Sequence, residues 1–148
     1  MVFDPRPISV NDMYSTARGR RFLTKAGKHY KDAIRETTSK TLIQLCDPTW
    51  KEVIDAIYKT GGQVYLGLQL CLDDLWNASW KPGGSLTASG AIRSPYRKVD
   101  VSNYFKLIED AVAEATGIDD STHTHTEQEK LPHDEPHVII NYKVYCNG

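Results

Sequence analysis

The chain has 148 residues, 40% hydrophobic and 25% charged, with a net charge of −1, an ordinary globular profile that excludes collagen-like, low-complexity and disordered classes. No apolar run approaches the roughly 18 residues that cross a bilayer. The opening MVFDPRPISVND has neither a basic leader nor a secretory core, so a cytoplasmic protein with no membrane partner is expected. Cys46, Cys71 and Cys146, odd in number and widely spaced, fit reduced thiols in or near a core better than a disulfide framework or a zinc site.

Charge is unevenly spread. Residues 1–40 hold nine Lys or Arg against four acids, residues 41–99 six against five, and residues 100–148 three against ten. A basic opening segment can follow phosphates by releasing counterions, and an acidic closing segment can hold cations. Solvated helix faces produce the same unevenness.

Met1 to Asp4 reads as a short strand, and Arg6 to Arg21 as a loop rich in Pro, Asn, Ser and Gly that carries Arg18, Arg20 and Arg21. Thr24 is the predicted cap of a helix running to about Leu45. Its Tyr30, Ala33, Ile34, Thr37, Thr38, Thr41, Leu42 and Leu45 are spaced toward a core. Lys25, Lys28, Lys31 and Arg35 lie mostly elsewhere, either to grip phosphates or to solubilise the helix. Asp47-Pro48 predicts a second helix, cap then first helical residue, to Lys59, with Trp50, Val53, Ile54 and Ile57 buried and Gly61-Gly62 beyond it.

Gln63 to Leu72, rich in Val, Tyr and Leu, is the expected middle strand of a sheet, covered on both faces. A long Gly/Ser-rich loop follows at about 75–98, containing Trp76, Trp80, Arg93, Tyr96, Arg97 and Lys98. Its rings either stack on unpaired bases while the cations hold the backbone, or anchor the loop to the core or a second subunit.

Asp100 opens a third helix. At about 100° per residue, Val101, Tyr104, Phe105, Ile108, Ala111, Val112 and Ala115 share one side of it. Ser102, Asn103, Lys106, Glu109 and Asp110 share the other, Gly117 ends it, and Asp119-Asp120 follows. Oxygen donors of this kind suit Mg²⁺ or Mn²⁺, and Lys106 is placed to orient a phosphate or attacking water, or to stabilise charge developing on phosphorus. On pattern alone a plainer reading stands beside it, in which Asp100 caps the helix, Lys106 is solvated and Asp119-Asp120 makes a turn.

The last 28 residues read as two strands joined by a loop, the first starting at Ser121. Alternation places His123 and His125 on one face, exposed or near a polyanion, where protonation would strengthen phosphate contact. A zinc or copper site drawing on His133, His137 and Cys146 is the other reading.

The run from Asp100 to Asp120 resembles the RusA-like family of Holliday junction resolvases, whose motif is Asp-x-Asp-Asn-x-x-Lys, a helix, then Asp-Asp. Asp100, Asn103, Lys106, Asp119 and Asp120 stand at the corresponding places, and Asp110 falls where the family tends to have an acid. Pro7-Ile8-Ser9-Val10-Asn11, Gly19-Arg20-Arg21 and Thr24 to Lys31 resemble the family's opening, and Lys130 matches a basic position. The likeness covers about two thirds of the chain, leaving Cys46 to Tyr96 poorly matched. One departure is Ser102, which stands where the motif has its second Asp.

The resemblance implies a small α+β or mixed α/β domain over residues 1–148, a sheet packed with two or three helices. It also implies a homodimeric, metal-dependent endodeoxyribonuclease that cuts branched DNA, phage or prophage encoded and acting in the cytoplasm of a bacterial host. Asp100, Asp120 and Asp119 would hold Mg²⁺ or Mn²⁺, with Asp100, Asp120 and Lys106 catalytic. Asn11, Arg20, Arg21, Lys28, Arg97, Lys98, Asn103 and Lys130 would contact DNA. The alternative is a non-catalytic branched-DNA-binding protein whose metal site has decayed at Ser102.

Overall fold

The computed structural model describes residues 2–3, 7, 12, 14–46, 49–76, 80, 95–97 and 101–145. In chain order its elements are β1 (Val2–Phe3), β2 (Tyr14–Ala17), β3 (Arg20–Leu23), α1 (Lys25–Cys46), α2 (Trp50–Thr60), β4 (Gln63–Leu72), α3 (Ser102–Thr116), a 3-10 turn (Asp120–Thr122), β5 (His123–Pro132) and β6 (His137–Tyr145). Helices and strands mix as expected for an α+β fold.

Strand β4 sits inside a four-stranded sheet of order β1-β6-β4-β5. It runs parallel to β5 and antiparallel to β6. Its period of two sends Val64, Leu66, Leu68 and Leu70 to one face, each 1% exposed or less. Leu66, Leu68 and Leu70 meet Val138 and Ile140 of β6, Tyr30 and Ile34 of α1, and Phe105, Ile108, Ala111 and Val112 of α3 in the main core. Burying each such side chain contributes about 1.5–3 kcal/mol, so this face holds the molecule together. A smaller cluster joins Ile57 of α2 to Val64 and Ile118, with Tyr142 packed against both.

Among the described residues, the two faces of β4 are not covered alike, contrary to the expectation from the sequence. The described helices pack on one face, while the other carries polar pairs: Tyr65 donates to Glu127 at 2.6 Å and Gln69 to Glu129 at 2.8 Å. Alternation was blurred in the sequence because Gly67 and Cys71 interrupt the polar positions, and both are buried.

The segment expected to be a loop up to Arg21 instead forms the β2-β3 hairpin, Tyr14 pairing with Leu23 and Ala17 with Arg20. Arg18 and Gly19 turn it, both at positive φ (51° and 72°), the requirement of a tight two-residue connection. Thr24 caps α1 as expected, its hydroxyl accepting from the Gly27 amide at 3.1 Å and donating to the Asp12 carbonyl at 2.9 Å. Helix α2 starts at Trp50; the Asp47-Pro48 start signal lies outside the described residues. Gly117 closes α3 at φ 75°, its amide bonding the Ala113 carbonyl at 2.9 Å. Among the described residues, no helix is long and apolar enough to cross a membrane, and Cys71 is a free, buried thiol.

Candidate active site

Helix α3 builds the site by presenting two faces. Phe105, Ile108, Ala111 and Val112 bury against the sheet, which leaves Lys106, Glu109 and Asp110 on the side toward β5. The αL cap at Gly117 reverses the chain, Ile118 plugs the small core, and the 3-10 turn brings Asp120 back alongside the helix.

The Lys106 ammonium bonds the Asp120 carboxylate, sits 2.9 Å from Asp110 and lies 3.8 Å from Glu109. The hydrogen bond to Asp120, then that to Asp110, holds this amine above the ordinary lysine range, so it stays charged. Asp119, one residue earlier, does a different job. Its Oδ1 accepts from the Ser121 amide at 2.9 Å and from the Ser121 hydroxyl, capping the turn. Those bonds hold its carboxyl below the ordinary range.

Burial deepens across the cluster, from 57% exposure at Lys106 through 31% at Asp110 to 12% at Glu109. It ends at His123, 1% exposed, whose Nδ1 lies 3.0 Å from the Glu109 Oε1. A carboxylate only accepts, so Nδ1 carries the proton of that bond. Nε2 is buried and makes no hydrogen bond among the described residues; a buried polar atom left this way costs about 1–3 kcal/mol.

His123 and His125 were expected on one face; the strand separates them. His123 pairs with Val64 and His125 with Tyr65, with an irregularity between, so Thr124 is an extra residue that reverses the alternation. His123 therefore turns inward to α3 and the edge of Tyr142, while His125 stacks on Tyr65 at 5.1 Å on the opposite face. The expectation of exposed histidines fails at His123.

Of the residues singled out by sequence, the fold brings Lys106 and Asp120 into direct contact and sets Asn103 half-buried one turn before Lys106 on α3. Asp100, Asn11 and Lys98 lie outside the described residues. Arg20 and Arg21 are exposed on β3, the Arg21 guanidinium 4.1 Å over the Tyr14 ring. Lys28 is exposed in the first turns of α1, whereas Lys31 and Arg35 both reach Glu114 of α3 and tie the two helices together. Arg97 pairs with Asp74 at 3.1 Å and its amide bonds the Leu75 carbonyl at 2.8 Å. Beside it Trp76 bridges to Tyr96, and most of the expected long loop between them lies outside the described residues. Lys130 lies half-buried on β5, seven residues beyond His123, roughly 20 Å along the strand.

Among the described residues, no group of three or more His, Cys, Asp or Glu is arranged to hold a metal ion. The donor chemistry nonetheless fits a hard cation. Asp110 and Asp120 supply oxygens, and the ammonium between them is itself a cation held by that field. Sequence reasoning set Glu109 on the polar side of α3 and His123 near a polyanion or in a zinc or copper site; it did not reach their contact with each other, which depends on strand register.

The model of the family described as Endodeoxyribonuclease RusA matches residues 3–143. No curated protein matches the chain.

Proposed function

Given that the chain belongs to the RusA endodeoxyribonuclease family, we propose that it resolves Holliday junctions and related branched DNA by metal-dependent hydrolysis of phosphodiester bonds, as a homodimer with one site per subunit. The observation that carries this reading is the Lys106 ammonium held between Asp110 and Asp120 beside α3. Asp100 and Asp120 are the main residues to hold Mg²⁺ or Mn²⁺, with Asp119, whose Oδ1 also caps the turn, assisting. When bound, such an ion lowers the pKa of a coordinated water and neutralises phosphate charge.

The protein's own groups do the rest. Lys106, charged and 57% exposed, offers its ammonium to a phosphate oxygen and stabilises the charge that grows there during displacement. Arg20, Arg21 and Lys28, all exposed near the start of the chain, supply phosphate contacts that position the duplex arms without reading sequence. Asn11, Arg97, Lys98, Asn103 and Lys130 complete the proposed DNA-contacting set. Two-fold symmetry would present two such sites to opposed strands.

A synthetic four-way junction incubated with and without Mg²⁺ or Mn²⁺ tests the proposal. Symmetrical, metal-dependent nicks are expected. Asp100→Asn and Asp120→Asn should each lower cleavage by more than roughly 100-fold, the upper range for loss of a supporting metal-site residue, while the junction Kd changes little. Full cleavage by both variants rejects the site. A junction shifted but left intact by the unaltered protein favours the binding-only reading, in which Ser102 marks a lost carboxylate.

A further inference from the structure

Two largely buried polar side chains, His123 and Glu109, stand next to Lys106 without a part in binding metal or DNA. The His123 side chain is 1% exposed, and its Nδ1 lies 3.0 Å from the Glu109 Oε1. Its other nitrogen is buried and has no hydrogen-bond partner among the described residues. Packing alone does not account for an imidazole here, because an aliphatic side chain would fill the space beside Tyr142 without leaving a polar atom unpaired. Glu109 is 12% exposed, and its second oxygen, Oε2, faces the Lys106 ammonium at 3.8 Å. The same ammonium contacts Asp110 and Asp120.

We infer that His123 and Glu109 form a positioning pair for Lys106, an inference that rests on the nuclease reading above. The Nδ1–H of His123 fixes one oxygen of Glu109, and the other oxygen then adds a third carboxylate to those that locate the ammonium. Neither residue touches substrate; both act through Lys106. The bulge at Thr124 is what makes the pair, since without it His123 would point away from α3.

The test compares kcat, KM and fold stability on a four-way junction with Mn²⁺, alongside ¹⁵N NMR of the lysine ammonium groups. Glu109→Gln keeps volume and still accepts from Nδ1 but carries no charge. It should lower kcat roughly 10-fold or more, the scale of a mispositioned reacting group, with KM within about 2-fold, and should move the Lys106 Nζ resonance. His123→Val should do the same, and His123→Asn, whose amide nitrogen offers a donor near the place of Nδ1, should recover most of the loss. The double variant Glu109→Leu/His123→Val replaces the buried pair by apolar packing, so the thermal midpoint should recover while kcat stays low.

Normal kcat in Glu109→Gln or in the folded double variant, or a Lys106 resonance unmoved by Glu109→Gln, overturns the inference. An unaltered protein that leaves the junction whole removes the nuclease reading, and this inference with it. Nicking by the unaltered protein, matched by Glu109→Gln, removes the positioning pair alone.

Discussion

On one side of α3, Leu107, Ile108, Ala111 and Val112 are each 2% exposed or less and join the apolar core; on the other, Lys106 stands half in solvent among carboxylates. The first side is held by non-directional burial, which tolerates exchange of one apolar shape for another at modest cost. The second depends on direction and distance, since a charge pair worth several kcal/mol in a dry site is worth about 1 kcal/mol or less in water. The apolar side therefore sets where the helix lies, and the polar side draws its chemistry from that placement. Leu107 shows how close the two lie: it adjoins Lys106 in sequence yet is 2% exposed, which widens the buried arc beyond the stripe read from the sequence.

Breaking the apolar side should have the largest effect. Ile108→Ala, at a fully buried position between helix and sheet, should cost about 2–5 kcal/mol, read as a drop in the denaturation midpoint with unchanged m-value. Cleavage at a temperature where the variant remains folded should be reduced far less than stability. If activity collapses while stability holds, the division of labour proposed for α3 is wrong.

Lys106→Met reverses that pattern. It keeps the stem and removes the charge, so kcat should fall on the order of 100-fold while the midpoint shifts little, because a half-exposed ion pair adds about 0–1 kcal/mol. Normal turnover in this variant would leave Lys106 a solvated helix residue.

The smallest effect is expected behind the polar edge, at Tyr142, which packs against both core clusters and the His123 ring. Burial pushes its phenol from 10 up to about 12. A folded-state value raised above the unfolded one stabilises fully below pH 10, and that contribution is lost as pH rises toward 12, by at most about 1.4 kcal/mol per pH unit from this one proton. Tyr142→Phe should flatten the stability curve across that window. An unchanged slope in urea titrations would show that Tyr142 is not the group responsible.

Much of the fold was legible because local patterns carried it. The period of 3.6 marked α1, α2 and α3, Thr24 and Gly117 marked two of their ends, and the Val/Leu run at Gln63 to Leu72 marked the middle strand. The β2-β3 hairpin was not legible, because Arg at a positive φ is an uncommon turn residue and Arg18-Gly19 lacks the usual Asn-Gly signal. Within the site, helix periodicity reached Lys106 and put Glu109 and Asp110 on the same polar side, while the resemblance singled out Lys106 and Asp120.

By itself, then, the order of residues determined the elements, the polar and apolar sides of α3 and the family likeness at its ends, since each depends on neighbours a few positions apart. Only the tertiary structure decided that Asp120 meets Lys106, and that His123 turns inward while His125 turns outward. Those outcomes hang on the parallel pairing of β4 with β5 and on one extra residue at Thr124. Strand register is a long-range quantity, and a slip of a single residue exchanges every side chain between faces.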